Sequence, residues 1–264
     1  MISLDVQFDR YSLLARQRPA LFMLFPILIA AAAVFPSLRS WWAALIACAG
    51  TCGVSVALSE FTQGAGKRLE AALIKSWDGL PSVAMLRHRD KRIDSITKTR
   101  YKVFLQDSPA GLRFPSAAEE EADPGVADEV YRSATRWLLS QTRDIKRYAL
   151  LFQQNISYGF RRNMLGLRPW GFGASVVALT AVGTVAAYQV IVGGPVDSAR
   201  VVAILVAGGE FGFWLIAVRP EWVRIAANAY ALELLGACDS LPAAVKCSRG
   251  AEDQRLATDD RRFR

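Results

Sequence analysis

The chemistry-bearing residue that stands out most is Glu210, in Gly208-Gly209-Glu210-Phe211-Gly212. It is the one charge between Arg200 and Arg219, a stretch long and apolar enough to cross a bilayer. A carboxyl at that depth is costly, and it points to a pore, a proton site or a buried partner. The bland use of the same residue is a neutral carboxyl hydrogen-bonded between helices. Gly208, Gly209 and Gly212 would let another helix approach closely or let their own bend. Thr184 and Gln189, with Thr180 and Tyr188, are the polar side chains of the preceding apolar stretch available to face Glu210.

A second constellation is basic: Arg87, His88, Arg89, Lys91, Arg92, Lys98, Arg100 and Lys102, against Asp90 and Asp94. Such a cluster suits a phosphate-bearing ligand, a nucleotide or a nucleic acid. Attraction to an anionic membrane surface explains it as well, at about 1 kcal/mol per basic residue. The membrane explanation is favoured, because stacking aromatics are limited to Tyr101 and Phe104.

Other motifs fail on their chemistry. Gly64-Ala65-Gly66-Lys67-Arg68 lacks the leading glycine of a phosphate loop, where Phe61 stands, and the Ser or Thr after the lysine, where Arg68 stands. His88-Arg89-Asp90 has Ser95 where a kinase loop needs its metal-binding Asn. Cys48 and Cys52 lie four apart in an apolar stretch, Cys238 and Cys247 lie near the C-terminus, and His88 is the single histidine. That inventory implies neither a metal site nor a cofactor. With no Ser/His/Asp or paired-carboxylate spacing either, a membrane enzyme is the weakest of the functional readings.

The elements that carry these residues follow from where charge is excluded. No charge occurs between Arg18 and Arg39, between Arg39 and Glu60, or between Arg168 and Asp197. With the Glu210 stretch this makes four windows near or above the roughly 20 residues that span a bilayer. The expected fold is an all-α polytopic membrane protein of four spans in two tight hairpins. A mainly helical domain, with room for short extended pieces in an α+β arrangement, lies between the hairpins.

The expected boundaries are an N-terminus at 1–18, a first hairpin at 19–59, a basic domain at 60–168 and a second hairpin at 169–218. An amphipathic helix at 219–245 and a polar, disordered tail at 246–264 follow. Small residues, Gly50 and Gly53 among them, line the second span and permit tight crossings. Ala30 to Ala33 has the look of a signal-peptide cleavage site, but residues 1–18 form a long leader carrying Asp5 and Asp9.

Within the middle domain, residues 66–77 extend the second span as a helix, 106–124 form a solvated loop, and 128–160 form the strongest soluble helix. Residues 60–168 hold 19 Lys and Arg against 13 Asp and Glu, net +6, whereas the two short turns carry only Arg39 and Arg200. By the positive-inside rule, the middle domain and both termini are cytoplasmic and the protein resides in the inner (plasma) membrane.

The functional expectation is an oligomeric membrane protein with a cytoplasmic sensing domain and spans that open or perturb the bilayer. Bacterial self-protection effectors share that layout by architecture alone. The alternative is a non-conducting scaffold or regulatory subunit that anchors a cytoplasmic protein partner.

Overall fold

The computed structural model describes residues 10–37, 54–108 and 111–242. Among them all regular structure is helical, with no strand, so the short extended pieces allowed for in the middle domain are absent. Three helices are long and apolar enough to cross a membrane: α1, Arg10–Val34; α7, Ala149–Ile191; and α8, Ser198–Ile216. Most of the expected second span lies outside the described residues, with Trp41, Trp42, Cys48, Gly50, Cys52 and Gly53. So do Cys247 and the expected disordered tail.

The remaining helices are α2 (Val54–Ser76), α3 (Pro81–Ala84), α4 (Ser95–Gln106), α5 (Ala117–Ala122), α6 (Pro124–Gln141) and α9 (Pro220–Gly236). The chain divides into two compact units. The first comprises Met1–Asp78 and Phe152–Tyr230, and the second Gly79–Leu151 and Ala231–Arg264.

In the first unit, α1, α7 and α8 meet through small side chains. Ala30 and Ala33 pack with Ala178, Val182, Ala203 and Ala207 in one buried layer. Small residues let helix backbones approach where lipid gives no hydrophobic drive for association. A second layer gathers Met23, Leu73, Met164, Leu167, Trp214 and Val223.

Helix α2 crosses α7 at nearly backbone contact. A Cβ on Gly166 would stand 2.5 Å from the Ala65 carbonyl carbon, and one on Gly66 would stand 2.1 Å from the Asn163 amide oxygen. Asn163 itself is buried and donates 2.7 Å to the Ala15 carbonyl. Ala15 lies in a π-helical stretch of α1, Leu13–Gln17, where the ordinary i→i−4 ladder is interrupted. The asparagine thus satisfies a carbonyl within an irregular piece of helix.

Helix α7 runs unbroken through Pro169, although proline removes one ladder donor there. At the other end of α8, Arg168 donates to the Trp214 and Leu215 carbonyls at 3.1 and 3.4 Å. That places a cation at the negative end of the α8 dipole.

In the second unit, α6 ends at Gln141 and a turn separates it from α7, so residues 128–160 are two helices rather than one. Thr142 bonds back to the Leu138 carbonyl at 3.0 Å, and the Asp144 carboxylate accepts from Lys146 N at 2.9 Å. Both side chains compete with the helical ladder and break it. The stretch 106–124, expected as a solvated loop, contains α5. Ser116 and Glu119 close a reciprocal capping box on its first turn. The middle of the acidic run, Glu120, is buried.

Candidate functional site

The basic constellation divides by burial. Arg87, Lys98 and Lys102 are buried, whereas His88, Arg89, Lys91, Arg92 and Arg100 are exposed. Arg87 forms a two-pronged pair with Asp128, at 2.8 Å from Nε to Oδ1 and 2.6 Å from Nη2 to Oδ2. Arg92 grips Asp90 in the same manner, and Arg100 pairs with Asp239 at 3.0 Å. Three of the seven Lys and Arg are thus out of reach of a lipid surface, and the cluster is in part a set of internal contacts.

At its centre lies a polar network built from α4, α5, α6 and the turn at Arg87–Arg89. Glu120 accepts from the His88 backbone N–H at 3.1 and 3.0 Å. It also accepts from the Tyr131 hydroxyl at 2.5 Å. Lys102 Nζ lies 2.9 Å from His88 Nε2 and 3.4 Å from the Tyr131 hydroxyl oxygen. The ammonium also faces the Tyr131 ring, 5.1 Å from its centroid. Lys98 donates to the Arg87 carbonyl at 2.8 Å and to the Asp90 carbonyl, holding the turn against α4.

Burial pushes the Lys102 ammonium down to about 8, with Lys98 pushing the same way and Glu120 opposing. Burial likewise lowers Lys98, opposed by Asp90 and Glu120. Tyr131 is raised by burial first and then by its bond to Glu120.

Two cavities share His88 as a wall. One, of about 590 Å³, is lined by Arg87, Arg89, Glu120, Glu121 and Asp128 among others. The other, of about 410 Å³, is lined by Asp90, Lys91, Ser95, Lys98 and Lys102. No group of three or more His, Cys, Asp or Glu placed to hold a metal ion occurs among the described residues.

The polar residues of the long apolar helices form a separate candidate. Glu210 is 6% exposed, on the same face of α8 as Ala203, Ala207 and Trp214. Both of its carboxyl oxygens are buried and have no hydrogen-bond partner among the described residues. Ala203 and Ala207 pack with Ala30 and Ala33 of α1, and Trp214 lies 5.7 Å from the Phe22 ring. The Glu210 face of α8 is therefore the one packed against both α1 and α7, since Ala178 and Val182 join that layer and Gly171 lies under Trp214.

Thr180 and Thr184 are exposed and bond back to the Val176 and Thr180 carbonyls of their own helix. Tyr188 is 66% exposed. Gln189 accepts from Arg200 Nη1 at 2.8 Å across the α7–α8 turn. Gly208, Gly209 and Gly212 look onto open space, with nothing within 4 Å of where a Cβ would stand. Close approaches occur instead at Gly66, Gly166 and Gly171, the last lying under the Trp214 ring.

Sequence reasoning missed Glu120 and Tyr131. Tyr131 was visible as one apolar position of a helix, and Glu120 as one of three like charges. Only their fit to Lys102 and to the His88 backbone distinguishes them. Comparison with known proteins adds no family: no protein-family model, no curated protein and no solved structure matches the chain.

Proposed function

We propose that this is an oligomeric membrane protein whose spans open or perturb the bilayer along the α1–α8 seam, under the control of a cytoplasmic helical domain. The carrying observation is Glu210, a carboxyl buried between two apolar helix faces with neither oxygen hydrogen-bonded among the described residues. Burying such a group costs several kcal/mol by general transfer arguments. That cost makes this seam a weak place in the unit, because water or a partner reaches the carboxyl when α8 parts from the helices packed on its Glu210 face, α1 and α7. A residue that destabilises the closed packing and is hydrated in an open one biases the equilibrium toward opening.

The outward-looking Gly208, Gly209 and Gly212 leave the other face of α8 smooth enough for a second copy to pack there. The domain's excess of Lys and Arg supports the cytoplasmic assignment.

The test is ion flux from liposomes carrying the purified full chain. Wild type should release trapped K⁺, and Glu210→Leu, which removes the buried carboxyl, should cut the rate about tenfold for a shift of ~1.4 kcal/mol in opening. Flux no greater from wild type than from Glu210→Leu sinks the proposal.

A scaffold remains the second reading. It is favoured by one observation, the exposed apolar side chains Ile96 and Val103 on α4, at 79% and 52%. Recovery of a stoichiometric protein partner from solubilised membranes that is lost in Ile96→Asp would support it.

A further inference from the structure

The geometry around Lys102 points to an activity of its own: we propose that Lys102 is a carbonyl-reactive amine, forming an imine with a small aldehyde or keto compound in the cavity beside α4. A lysine does this chemistry when its amine can shed a proton, when a neighbour can accept and return that proton, and when a cavity admits the carbonyl. All three conditions meet here.

Lys102 is 9% exposed, and no carboxylate lies within ion-pairing distance of it among the described residues. Its polar neighbours are a phenol oxygen, which accepts from it, and a ring nitrogen, which accepts from it when that nitrogen carries no hydrogen. His88 Nε2 lies 2.9 Å from Lys102 Nζ and 3.0 Å from the Pro115 carbonyl oxygen. One neighbour of that nitrogen is a donor and the other an acceptor. Unprotonated, the ring accepts from Lys102. Protonated, it donates to Pro115 and leaves the amine neutral. Tyr131 gives its own proton to Glu120, so its oxygen is held in position to receive from Lys102.

Lys98 differs: its Nζ is tied to the Arg87 and Asp90 carbonyls, which cannot take a proton from it. Lys91 and Lys98 line the same cavity of about 410 Å³ and favour a carbonyl compound with an acidic substituent. Of the carboxylates there, Asp90 is held by Arg92, and Asp94 caps the first turn of α4.

The step balances without oxidant or reductant. Lys102 transfers a proton to His88 Nε2, and its lone pair attacks the carbonyl carbon. The carbonyl π pair moves to oxygen, which takes from His88 the proton that Lys102 gave it, leaving a carbinolamine with a positively charged nitrogen and a neutral His88. A proton from nitrogen passes to His88, and protonated His88 supplies the proton with which the hydroxyl leaves as water. The nitrogen lone pair forms the C=N bond. The net change is protonated amine plus carbonyl to protonated imine plus water, with His88 unchanged.

With burial holding the amine near 8, roughly one Lys102 in ten is neutral at pH 7, against roughly one in a few thousand for an ordinary lysine. The experiment uses the full chain in detergent, with glyoxylate as the probe, cyanoborohydride to trap the imine, and peptide mapping by mass spectrometry. Lys102 should be labelled at least about tenfold faster than exposed Lys91 and Lys146 at pH 7, by that difference in neutral fraction. Its rate should rise steeply up to pH 8 and then level off, while surface lysines keep rising beyond it. His88→Gln should slow labelling at Lys102 while leaving Lys146 unchanged.

Mapping the wild-type chain decides the matter without relying on a variant that could misfold. Labelling of Lys102 at or below the level of Lys91 and Lys146 overturns the proposal. So does a Lys102 rate that does not flatten above pH 8.

Discussion

Lys102 makes a prediction about stability that is separate from its reactivity. Its folded-state value, about 8, lies below the roughly 10.4 of an unfolded lysine. Between those values the unfolded chain holds a proton that the folded chain has shed, so stability on this account rises with pH. Tyr131 and Cys238 act in the opposite sense, since burial raises both, the thiol to about 12. A direct melt of the wild type therefore mixes signs, and the difference between wild type and Lys102→Met isolates the lysine. That difference should move in favour of wild type between pH 8 and 10, followed by thermal unfolding in detergent. A difference independent of pH would show that Lys102 titrates like a surface residue. At this scale the sequence was informative about residue type and silent about pairing. Arg87, His88, Lys98 and Lys102 could be picked out as a cluster, but their split into buried and exposed members depends on the fold. Nothing in the Glu119-Glu120-Glu121 run marks its middle member as the acceptor for a backbone amide 32 residues away.

At the scale of elements, glycines with the same helical context have opposite surroundings. A side chain on Gly166 must displace the backbone of α2 at Ala65, because a Cβ would meet the carbonyl carbon at 2.5 Å. Gly208 has no atom within 4 Å of that position. Gly166→Val should therefore destabilise the chain by about 1–3 kcal/mol or more through overpacking, read as a lower melting temperature in detergent. Gly208→Ala should leave it unchanged or slightly more stable, since alanine is the better helix former. Equal effects at the two positions would mean that α2 and α7 do not cross where the structure has them. The comparison also explains what could be read in advance. Periodicity located a helix over 66–77, now the end of α2, and one within 219–245, where α9 occupies Pro220–Gly236, because their apolar faces repeat every three or four residues. The same periodicity continued across residues 142–148 and hid the break there, which is made by Thr142 and Asp144 bonding to nearby backbone. Gly64-Ala65-Gly66 could be tested from sequence only as a phosphate loop. Its part in a helix crossing needs Asn163 and Gly166, about a hundred positions away.

For the whole molecule the governing quantity is the free energy of charge in and beside hydrocarbon. At 43 residues and 1.5 Å per residue, α7 is roughly twice the length of a ~30 Å hydrocarbon core. Its first half carries Arg161, Arg162 and Arg168, and its second half carries no Asp, Glu, Lys or Arg up to Ile191. The cations of the first half are engaged outside the apolar stretch. Arg162 pairs with Glu70 at 2.8 Å, and Arg161 donates to the Trp222 carbonyl at 3.0 Å. Only the second half is free of charge over a spanning length, so we propose a membrane boundary on α7 near Arg168, with the turn at 192–197 on the opposite side. On that proposal the positive-inside rule favours a cytoplasmic Arg161 side, because the turn between α7 and α8 is followed by a single basic residue, Arg200. Val192, 61% exposed at that turn, and Ile96, 79% exposed on α4, make matched reporters for this orientation. With a membrane-impermeant maleimide on intact cells, Val192→Cys should be labelled and Ile96→Cys should be protected until the cells are lysed. The four native cysteines, Cys48, Cys52, Cys238 and Cys247, are replaced by alanine beforehand so that the introduced thiol alone reports. Labelling of Ile96→Cys in intact cells would reverse the orientation, and it would remove the cytoplasmic control on which the proposed opening of the bilayer depends.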